Sequence, residues 1–371
     1  MIGIGPLFSI LGFSVLAYRL GPSVVAVLRA KSVHTKKTSG LESSHFVSII
    51  IPARNEEDNI PKLLTSLTRI EHENLEILVV DDNSEDRTSE LVSGFSARDS
   101  RVRLINGSAR PQGWTGKNWA CLQAALEAKG DWLLFTDADT EHMPSSLSKA
   151  LYKCEADSLD LMSAIPYHEN STLFEKLMGP FHLLIFISSS AFSKPRAGAL
   201  FAIGQYLLFR KEFYFKQGTH EAVKMSFSDD LDLAEECLRN GGRYGLETSG
   251  SIFKVRMYPT FAAFMEGWKR IFRIGFVHAR FTRVIEIFLT IACLMESFHF
   301  SKASEVEALL ALAGLALIAI AQKRYGRFSF GGIVLAPLGI GFFVYLSGSA
   351  VLDRLRGRDL RWRGRSYKLT P

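Results

Sequence analysis

Two kinds of hydrophobic pattern alternate along the first half of the chain. Continuous apolar runs of strand length, FVSIIIP at 46–52 and LEILVV at 75–80, each lead into a segment with apolar residues at helical spacing. RVRLING and DWLLFTDADT supply a third and a fourth run. Continuous apolar runs that end in polar residues are typical of parallel strands buried on both faces. The alternation predicts an α/β domain built on a doubly wound parallel sheet.

Three of the four runs end in clusters of polar residues. These clusters are Pro52 to Glu56, Asp81 with Asp82, and Asp137 with Asp139. Ligands of doubly wound sheets bind outside the carboxyl ends of the parallel strands. We therefore expect the three clusters to meet at one edge of the sheet.

The fourth run is unusual because it ends in two aspartates one residue apart. In an extended segment, residues i and i+2 point to the same side, so Asp137 and Asp139 can present their carboxylates together. Such a pair is unfavourable unless a cation neutralises it or one carboxylate is protonated. Mg²⁺ typically takes one or two carboxylates plus phosphate oxygens, which favours a divalent-ion site. Two acids that simply face water are the alternative.

Apolar segments flank the α/β region at both ends of the chain. There is no charged residue from Met1 to Tyr18, and residues 328–352 and 308–321 are also uncharged. Because about 20 apolar residues span a bilayer, we predict an N-terminal membrane anchor over 1–28 and C-terminal transmembrane helices within 303–352. A cleaved signal peptide is the alternative for the first segment, although its extreme N-terminus lacks the usual basic residues.

Length and charge complete this division of the chain. The 371 residues carry a net charge of +6 and accommodate one large domain with appendages. We expect a soluble domain over 40–260, interfacial helices over 261–299 and a basic tail over 353–371. The basic residues that follow the first apolar run (Arg29, Lys31, Lys36, Lys37) place the domain in the cytoplasm, at the inner membrane of a multi-pass protein. Basic residues beside apolar segments suit anionic lipid, so we expect a membrane partner and no nucleic acid.

Two further apolar segments allow more than one interpretation. Residues 173–191 are interrupted by charges and by Gly179-Pro180, which suggests a segment at the membrane interface. An ordinary buried helix is the alternative. Residues 284–299 either span the membrane or lie on it; Glu286 and Glu296 leave only nine residues between charges, which favours the second case and returns the tail to the cytoplasm.

Six motifs occur in an order that resembles a known family. They are SIIIPARNEE, ILVVDDNSEDRT, GKNWACLQAA, LLFTDADT, GQYLLFRKEFYFKQGTHEAV and SDDLDLAEECLRNGG. Together they resemble the family-2 inverting glycosyltransferases of the GT-A fold over about residues 45–280. GWTGKNWA, GTHEAV and VRMYPTFAAFMEGWKRIFRIG are most similar to the bacterial membrane branch with carotenoid (diaponeurosporenoate) and hopanoid-associated glycosyltransferases. The resemblance implies a nucleotide-sugar donor, by analogy a UDP-sugar, and a lipid acceptor.

The resemblance also implies residues that bind the donor. Pro52, Ala53 and Glu56 would line the nucleotide pocket, and Asp82 would accept a hydrogen bond from the base or the ribose. Lys117 stands where the family often has a basic residue near the phosphates. A solvated side chain at a helix N-terminus is the alternative for Lys117.

A metal site and a catalytic base follow from the same resemblance. Asp139, with Asp137 beside it, would hold Mg²⁺ or Mn²⁺ against the donor diphosphate, and Asp230 would be the base. The family usually has Glu-Asp where this chain has Asp229-Asp230, so the base is retained and the role of Asp229, an acceptor or phosphate contact, is left open. An acidic helix N-terminus stabilised by the helix dipole is compatible with this assignment.

Three more residues are candidates for contact with the acceptor or the phosphates. His220 lies in the GTHEAV match, although a lone loop histidine is more often structural. Trp268 and Arg270 lie in EGWKRIF, where processive members of the family carry QxxRW. The glutamine pattern is absent from this sequence, which favours one or a few transfers over polymer synthesis.

The sequence favours a membrane-bound inverting glycosyltransferase that moves a sugar from a nucleotide-diphosphate donor to a lipid hydroxyl or carboxylate. A polyprenyl-phosphate glycosyltransferase or surface-polysaccharide synthase is an alternative with the same fold. A catalytically silent membrane scaffold is an alternative from another class.

Overall fold

The chain forms two compact units, which we call the sheet unit and the helical unit. The sheet unit comprises Ser32–Glu169 and Lys194–Arg256, and the helical unit comprises Met1–Lys31, Asn170–Ser193 and Met257–Pro371. The computed structural model describes residues 10–11, 13–14, 16–18, 20–21, 24–25, 45–189, 191, 194–258, 260–275, 305–358, 360–362 and 365–367.

Several expectations concern residues outside these ranges. The anchor over 1–28 and the tail over 353–371 are described only in part, and the basic residues at 29–37 and the segment 284–299 are not described. The interfacial helices over 261–299 are described only as far as residue 275. These expectations remain predictions.

Ten strands lie in the described part of the sheet unit. In chain order they are β1 Val47–Ala53, β2 Leu75–Asp81, β3 Val102–Asn106, β4 Trp132–Phe135, β5 Thr140–His142, β6 Leu161–Ala164, β7 Tyr167–His168, β8 Leu207–Arg210, β9 Tyr244–Glu247 and β10 Phe253–Val255. Seven of them form the central sheet in the order β3-β2-β1-β4-β8-β6-β9, and a small sheet has the order β5-β10-β7.

The central sheet is mixed rather than wholly parallel. β1 pairs in parallel with β2 and β4, and β2 pairs in parallel with β3, as the apolar runs predict. β8 is antiparallel to both of its neighbours, β4 and β6. The parallel sheet predicted from the first four runs therefore holds for β1 to β4 and does not extend to β8, since an apolar run of strand length has the same pattern in either direction.

Helices pack against this sheet and form most of the described part of the helical unit. In chain order they are α1 Ile60–Leu67, α2 Thr88–Ser96, α3 Gly116–Glu127, α4 Ser146–Ala156, α5 Leu173–Leu177, α6 Gly179–Ser188, α7 Lys211–Lys216, α8 Asp229–Arg239, α9 Phe261–Gly275, α10 Glu305–Tyr325, α11 Gly331–Val334 and α12 Ala336–Leu355. A short 3₁₀ turn covers Thr219–Glu221. The core beside α3 combines small helix residues such as Ala120 and Ala124 with Val80 and Phe135 of the strands.

Three local boundaries differ from the sequence prediction. The sequence after β2 predicts a helix capped by Ser84 or Asp86, but α2 begins at Thr88. The Asp86 carboxylate still accepts a hydrogen bond from the Thr88 N–H at 3.0 Å. The sequence GKNWACLQAALEAKG predicts a helix that is closed by Gly130, but α3 ends at Glu127. Gly130 packs against β1, where its N–H donates to Ser48 Oγ at 2.8 Å.

The third difference concerns the two aspartates after the fourth run. β4 ends at Phe135, and residues 136–139 leave the strand and turn toward β5. The expectation that Asp137 and Asp139 continue an extended strand is therefore wrong. Their proximity arises from a turn.

Among its described residues, the helical unit contains two helices of bilayer length. α10 and the first 18 residues of α12, Ala336–Asp353, are long and apolar enough to cross a membrane by length and composition. The uncharged run 328–352 is divided between α11 and α12, whose second residue is Pro337. Residues 173–191 contain α5 and α6, and their Phe181 packs against Phe264 of α9. After α12, β11 Leu360–Trp362 and β12 Arg365–Tyr367 form a hairpin.

Candidate active site

The carboxyl ends of β1, β2 and β4 bring the three predicted polar clusters to one edge of the sheet. In the parallel register, Ala53 lies opposite Asp81 and Ile50 lies opposite Phe135. The Asp82 N–H donates to the Ala53 carbonyl at 2.8 Å, which continues the β1–β2 pairing beyond β2. The geometry confirms that these clusters are neighbours.

The loops after β1 and β2 are tied together by their own polar groups. The Asn55 N–H donates to Ser84 Oγ at 3.0 Å, and the Glu56 N–H donates to Thr88 Oγ1 at 2.8 Å. The Arg54 guanidinium donates to the Asp82 carbonyl at 2.9 Å. These bonds fix the backbone of the wall that carries Glu56 and Asp82.

The other proposed donor residues lie in the same two loops. Pro52 is half-buried near the end of β1, Ala53 is buried, and Asp82 is only 7% exposed. Pro52, Ala53, Glu56 and Asp82 therefore lie beside one another, at the place where a ligand of this sheet edge would bind.

Asp137 and Asp139 form an acidic pair, and Asp139 is the member whose pKa is raised. Burial, followed by the neighbouring carboxylates of Asp137 and Glu56, raises the pKa of Asp139 to about 7. The Gln205 side-chain amide donates to the two oxygens of Asp139 at 3.2 and 3.4 Å. Crowded carboxylate oxygens are the donor set that Mg²⁺ and Mn²⁺ prefer, so these residues fit a divalent cation.

A buried polar network supports the turn that carries this pair. Thr136 Oγ1 donates to the Gln205 carbonyl at 2.8 Å and lies 3.0 Å from both Thr140 Oγ1 and His142 Nε2. Thr140 Oγ1 donates to the Asp137 carbonyl at 2.9 Å. Burial lowers the pKa of His142 to about 3, so its ring is neutral at physiological pH. The position of the acidic pair therefore depends on side chains beneath it.

Lys117, in the first turn of α3, contacts two carboxylates. Its Nζ lies 3.0 Å from Asp137 Oδ1 and 3.4 Å from Asp229 Oδ2, and the side chain is 19% exposed. Burial alone would lower the pKa of this ammonium, but Asp137 and Asp229 outweigh burial and raise the pKa above its usual range. Lys117 is thus a paired cation within the site rather than a solvated side chain at a helix start.

Asp230 lies at the N-terminus of α8 with both carboxylate oxygens bound to backbone amides. The Gly204 N–H donates to Oδ2 and the Leu231 N–H to Oδ1, each at 2.8 Å. Burial, with the Asp229 charge beside it, raises the pKa of Asp230 to about 7, although Lys117 and the two N–H groups oppose the rise. A positioned carboxylate with a pKa near the working pH is suited to general-base chemistry.

His220 lies inside the core rather than on a binding surface. Its ring is 0% exposed, Nδ1 lies 2.7 Å from the Tyr214 hydroxyl, and the ring centre lies 4.7 Å from that of Phe135. Burial lowers the pKa of His220 to about 3. This placement favours the structural role over direct contact with a donor or an acceptor.

Trp268 and Arg270 belong to α9 of the helical unit. Trp268 is 5% exposed, and its ring packs against Phe181 at 5.0 Å and Phe264 at 6.2 Å between centroids. Their predicted contact with acceptor or phosphates remains a prediction.

Sequence reasoning missed several residues that shape the site. Gly204 and Gln205 were seen only as the start of the GQYLLFR motif, yet they bind Asp230 and Asp139. Asn118, a buried amide one residue after Lys117, donates to the carbonyls of Val223 at 2.9 Å and Ser226 at 3.1 Å. The polar residue Asn118, placed among the apolar residues Trp119, Ala120 and Cys121, is a signal that could have indicated this link.

Known proteins resemble this chain in sequence. The model of the family described as glycosyl transferase family 2 matches residues 48–216. A 4,4'-diaponeurosporenoate glycosyltransferase of Staphylococcus haemolyticus (strain JCSC1435) is 31% identical over 248 residues; these are 65% of this chain and 64% of that protein, less than two thirds of its length. The protein of the same name from Staphylococcus aureus (strain N315) is 26% identical over 356 residues, or 91% of this chain and 92% of that protein.

A solved structure resembles this chain in fold. It is the mannosyltransferase PcManGT from Pyrobaculum calidifontis in complex with GDP-Man and Mn²⁺, with a TM-score of 0.55. The match covers 94% of this chain and 99% of that chain at 18% sequence identity. At this identity, the likeness concerns the arrangement of strands and helices.

Proposed function

We propose that this chain is a member of glycosyl transferase family 2 with a GT-A fold, and that it transfers a sugar from a nucleotide-diphosphate donor to a lipid acceptor. The family match over residues 48–216 and the fold shared with PcManGT support this proposal. One observation carries the proposal. Lys117, Asp137, Asp139 and Asp230 converge at the carboxyl edge of the sheet, two of them with a pKa near 7. The names of the staphylococcal relatives support a carotenoid-type lipid acceptor.

Donor binding is assigned to the loops after β1, β2 and β4. Pro52, Ala53, Glu56 and Asp82 line the nucleotide, and a UDP-sugar is the proposed donor. Asp137 and Asp139 would hold Mg²⁺ or Mn²⁺, which would stabilise negative charge on the departing diphosphate as a Lewis acid. The PcManGT complex with GDP-Man and Mn²⁺ supports a metal-assisted donor site and makes GDP-sugars the second class to test.

Asp230 acts on the acceptor. As the acceptor oxygen bonds to the anomeric carbon and the bond to the diphosphate breaks, Asp230 takes the hydroxyl proton. The reaction therefore inverts the configuration and needs no covalent enzyme intermediate. A positioned base of this kind contributes typically about 10²–10⁴-fold in rate. The hydrogen bonds that the Gly204 and Leu231 N–H groups donate to this carboxylate hold it in place for that transfer.

The proposed location is the inner membrane, with several spans and the sheet unit in the cytoplasm. α10 and α12 have the length and apolar composition to span, and the uncharged N-terminal segment would add an anchor. Extraction at alkaline pH tests membrane integration, and protease protection in inverted vesicles tests orientation. Release of the full chain into the alkaline supernatant would contradict the membrane assignment.

The test of function is transfer by the full chain in detergent with Mn²⁺ and a lipid extract. Radiolabelled UDP-, GDP- and dTDP-sugars are compared, and products are separated by chromatography. An alkali-labile product of low mass indicates an ester of a lipid carboxylate, and an alkali-stable one indicates a glycoside of a hydroxyl. Polymeric or polyprenyl-phosphate products would instead support the alternative synthase. Absence of transfer with every donor, together with unchanged cellular function of Asp139→Ala, would support a scaffold.

A further inference from the structure

One contact of Lys117 is not used by the transfer reaction described above. Its Nζ lies 3.0 Å from Asp137 Oδ1, and Asp137 is one of the two carboxylates assigned to the divalent ion. An ammonium and a divalent cation repel each other strongly at such short range, so both cannot share that oxygen at no cost. Either the ammonium moves when the metal binds, or the metal binds with lower affinity.

Lys117 already has a second carboxylate beside its ammonium. Asp229 Oδ2 lies 3.4 Å from Nζ, and the Asp229 side chain is only 8% exposed. A Cβ on Gly204 would lie 2.8 Å from Nζ, so the absence of a side chain at Gly204 leaves this space to the ammonium. Lysine carries its charge on a flexible four-carbon stem, and its charge can shift while α3 stays in place.

We propose that Lys117 is the resident counter-ion of Asp137, and that the divalent ion displaces it toward Asp229 and the donor diphosphate. The inference rests on the proposed function. It assigns Asp229, the residue at which this chain departs from the Glu-Asp pattern, to hold the displaced ammonium. With metal alone, the ammonium loses Asp137 and keeps only its existing contact with Asp229. With metal and nucleotide together, it gains diphosphate oxygens.

Cooperative binding follows from this exchange. Nucleotide raises the affinity for the metal, and by linkage the metal raises the affinity for nucleotide by the same factor, typically about 5- to 150-fold for coupled sites. Removing the ammonium has a distinctive consequence. Lys117→Met strengthens the binding of metal alone and weakens the coupling, whereas loss of a merely structural side chain would weaken both.

The experiment is an Mn²⁺ titration of the full chain in detergent, with free Mn²⁺ measured by electron paramagnetic resonance. Wild type is titrated alone and with UDP or GDP, beside Lys117→Met and the control Lys129→Met, which removes an exposed lysine just beyond the other end of α3. We expect Lys117→Met to bind Mn²⁺ alone about tenfold more tightly, since one repelling charge beside the ion is gone. Lys129→Met should match wild type.

A double-mutant cycle separates the contact from a general change of charge. If Lys117 acts through Asp137, the gain from Lys117→Met disappears in the Asp137→Asn background. If Lys117→Met still increases the Mn²⁺ affinity in the Asp137→Asn background, the proposal that the ion displaces Lys117 from Asp137 is wrong. Should Lys117→Met unfold, Lys117→Met with Asp229→Asn removes the uncompensated buried carboxylate and is compared with Asp229→Asn alone.

The two proposals fail in different ways. If neither UDP nor GDP changes the Mn²⁺ affinity of wild type and neither stabilises the protein to heat, the donor site and this inference fall together. If nucleotide and Mn²⁺ do bind together, yet Lys117→Met binds Mn²⁺ alone no more tightly than wild type, only the counter-ion inference is overturned.

Discussion

Two acidic pairs, Asp137 with Asp139 and Asp229 with Asp230, form the candidate site, and they are held in different ways. In each pair one carboxylate contacts Lys117, and the other has its pKa raised by burial to about 7. Asp139, on the metal side, accepts from the side-chain amide of Gln205, whereas Asp230, on the base side, accepts from two backbone amides. Side chains can adjust as an ion enters and leaves, while backbone amides fix a base in one orientation. The difference suits the two proposed tasks.

Asp230→Asn removes the base while it keeps the shape of the side chain. With a hydroxyl acceptor we expect turnover to fall about 10²–10⁴-fold, because no other group takes the proton. With a lipid carboxylate, which is already ionised, the fall should be much smaller. Asp232→Asn on the same helix is the control. Turnover near wild type with a hydroxyl acceptor would remove Asp230 from the mechanism.

Gly204→Ala tests the close approach of Gly204 to Lys117 and Asp230. The new Cβ would lie 2.8 Å from Lys117 Nζ and 3.5 Å from Asp230 Oδ2, so the ammonium or the carboxylate must shift. A misplacement of this size can cost about a hundredfold in turnover. Gly94→Ala, in a helix with open space around it, should keep full activity. Equal activity of both variants would show that the close approach is unimportant.

The raised pKa of Asp230 predicts how kcat/KM falls on the acid side of its pH profile. Since Asp230 must be ionised and its pKa is raised to about 7, kcat/KM should fall as the pH drops through 7, about tenfold per unit below it. Saturating Mn²⁺ suppresses the corresponding protonation of Asp139. The measurement is the initial rate from pH 5 to 9 at about equal ionic strength. A limb near the ordinary aspartate pKa would mean that the raised pKa does not govern catalysis.

Thr136→Val tests the side-chain support of the metal side. The substitution leaves the Gln205 carbonyl and its neighbours without the Thr136 hydroxyl. We expect a loss of about 1–3 kcal/mol in the free energy of unfolding, measured with urea, and weaker Mn²⁺ binding with little change in the Asp230 pH limb. A shift of that limb as large as the change in Mn²⁺ affinity would argue against two independently supported sides.

The fold was predictable where a local sequence pattern alone determines the secondary structure. β1, β2 and β3 lie within a residue or two of the apolar runs, because continuous apolar segments must be buried on both faces. The direction of β8 was not predictable, since its four residues, LLFR, are compatible with either direction. The extent of β4 was overestimated because the turn at 136–139 is stabilised by Gln205, far along the chain.

The candidate site divides in the same way. Asp137 and Asp139 could be proposed from the residues, because two carboxylates close together need a neutralising partner. Asp230 could be proposed from the family resemblance. Gly204 and Gln205 could not, since their importance lies in contacts with residues that are 26 and 66 positions away. His220 was an open candidate until its full burial was known.

By itself, the sequence determined the parallel strands β1 to β4, the acidic clusters that follow them and the apolar segments of bilayer length, because each depends on the order of neighbouring residues. Only the tertiary structure decided that one ammonium contacts both acidic pairs and that amides of a distant segment bind the other two carboxylates. The physical reason is that charge and hydrogen bonding act through space, between groups whose separation along the chain carries no information about their distance.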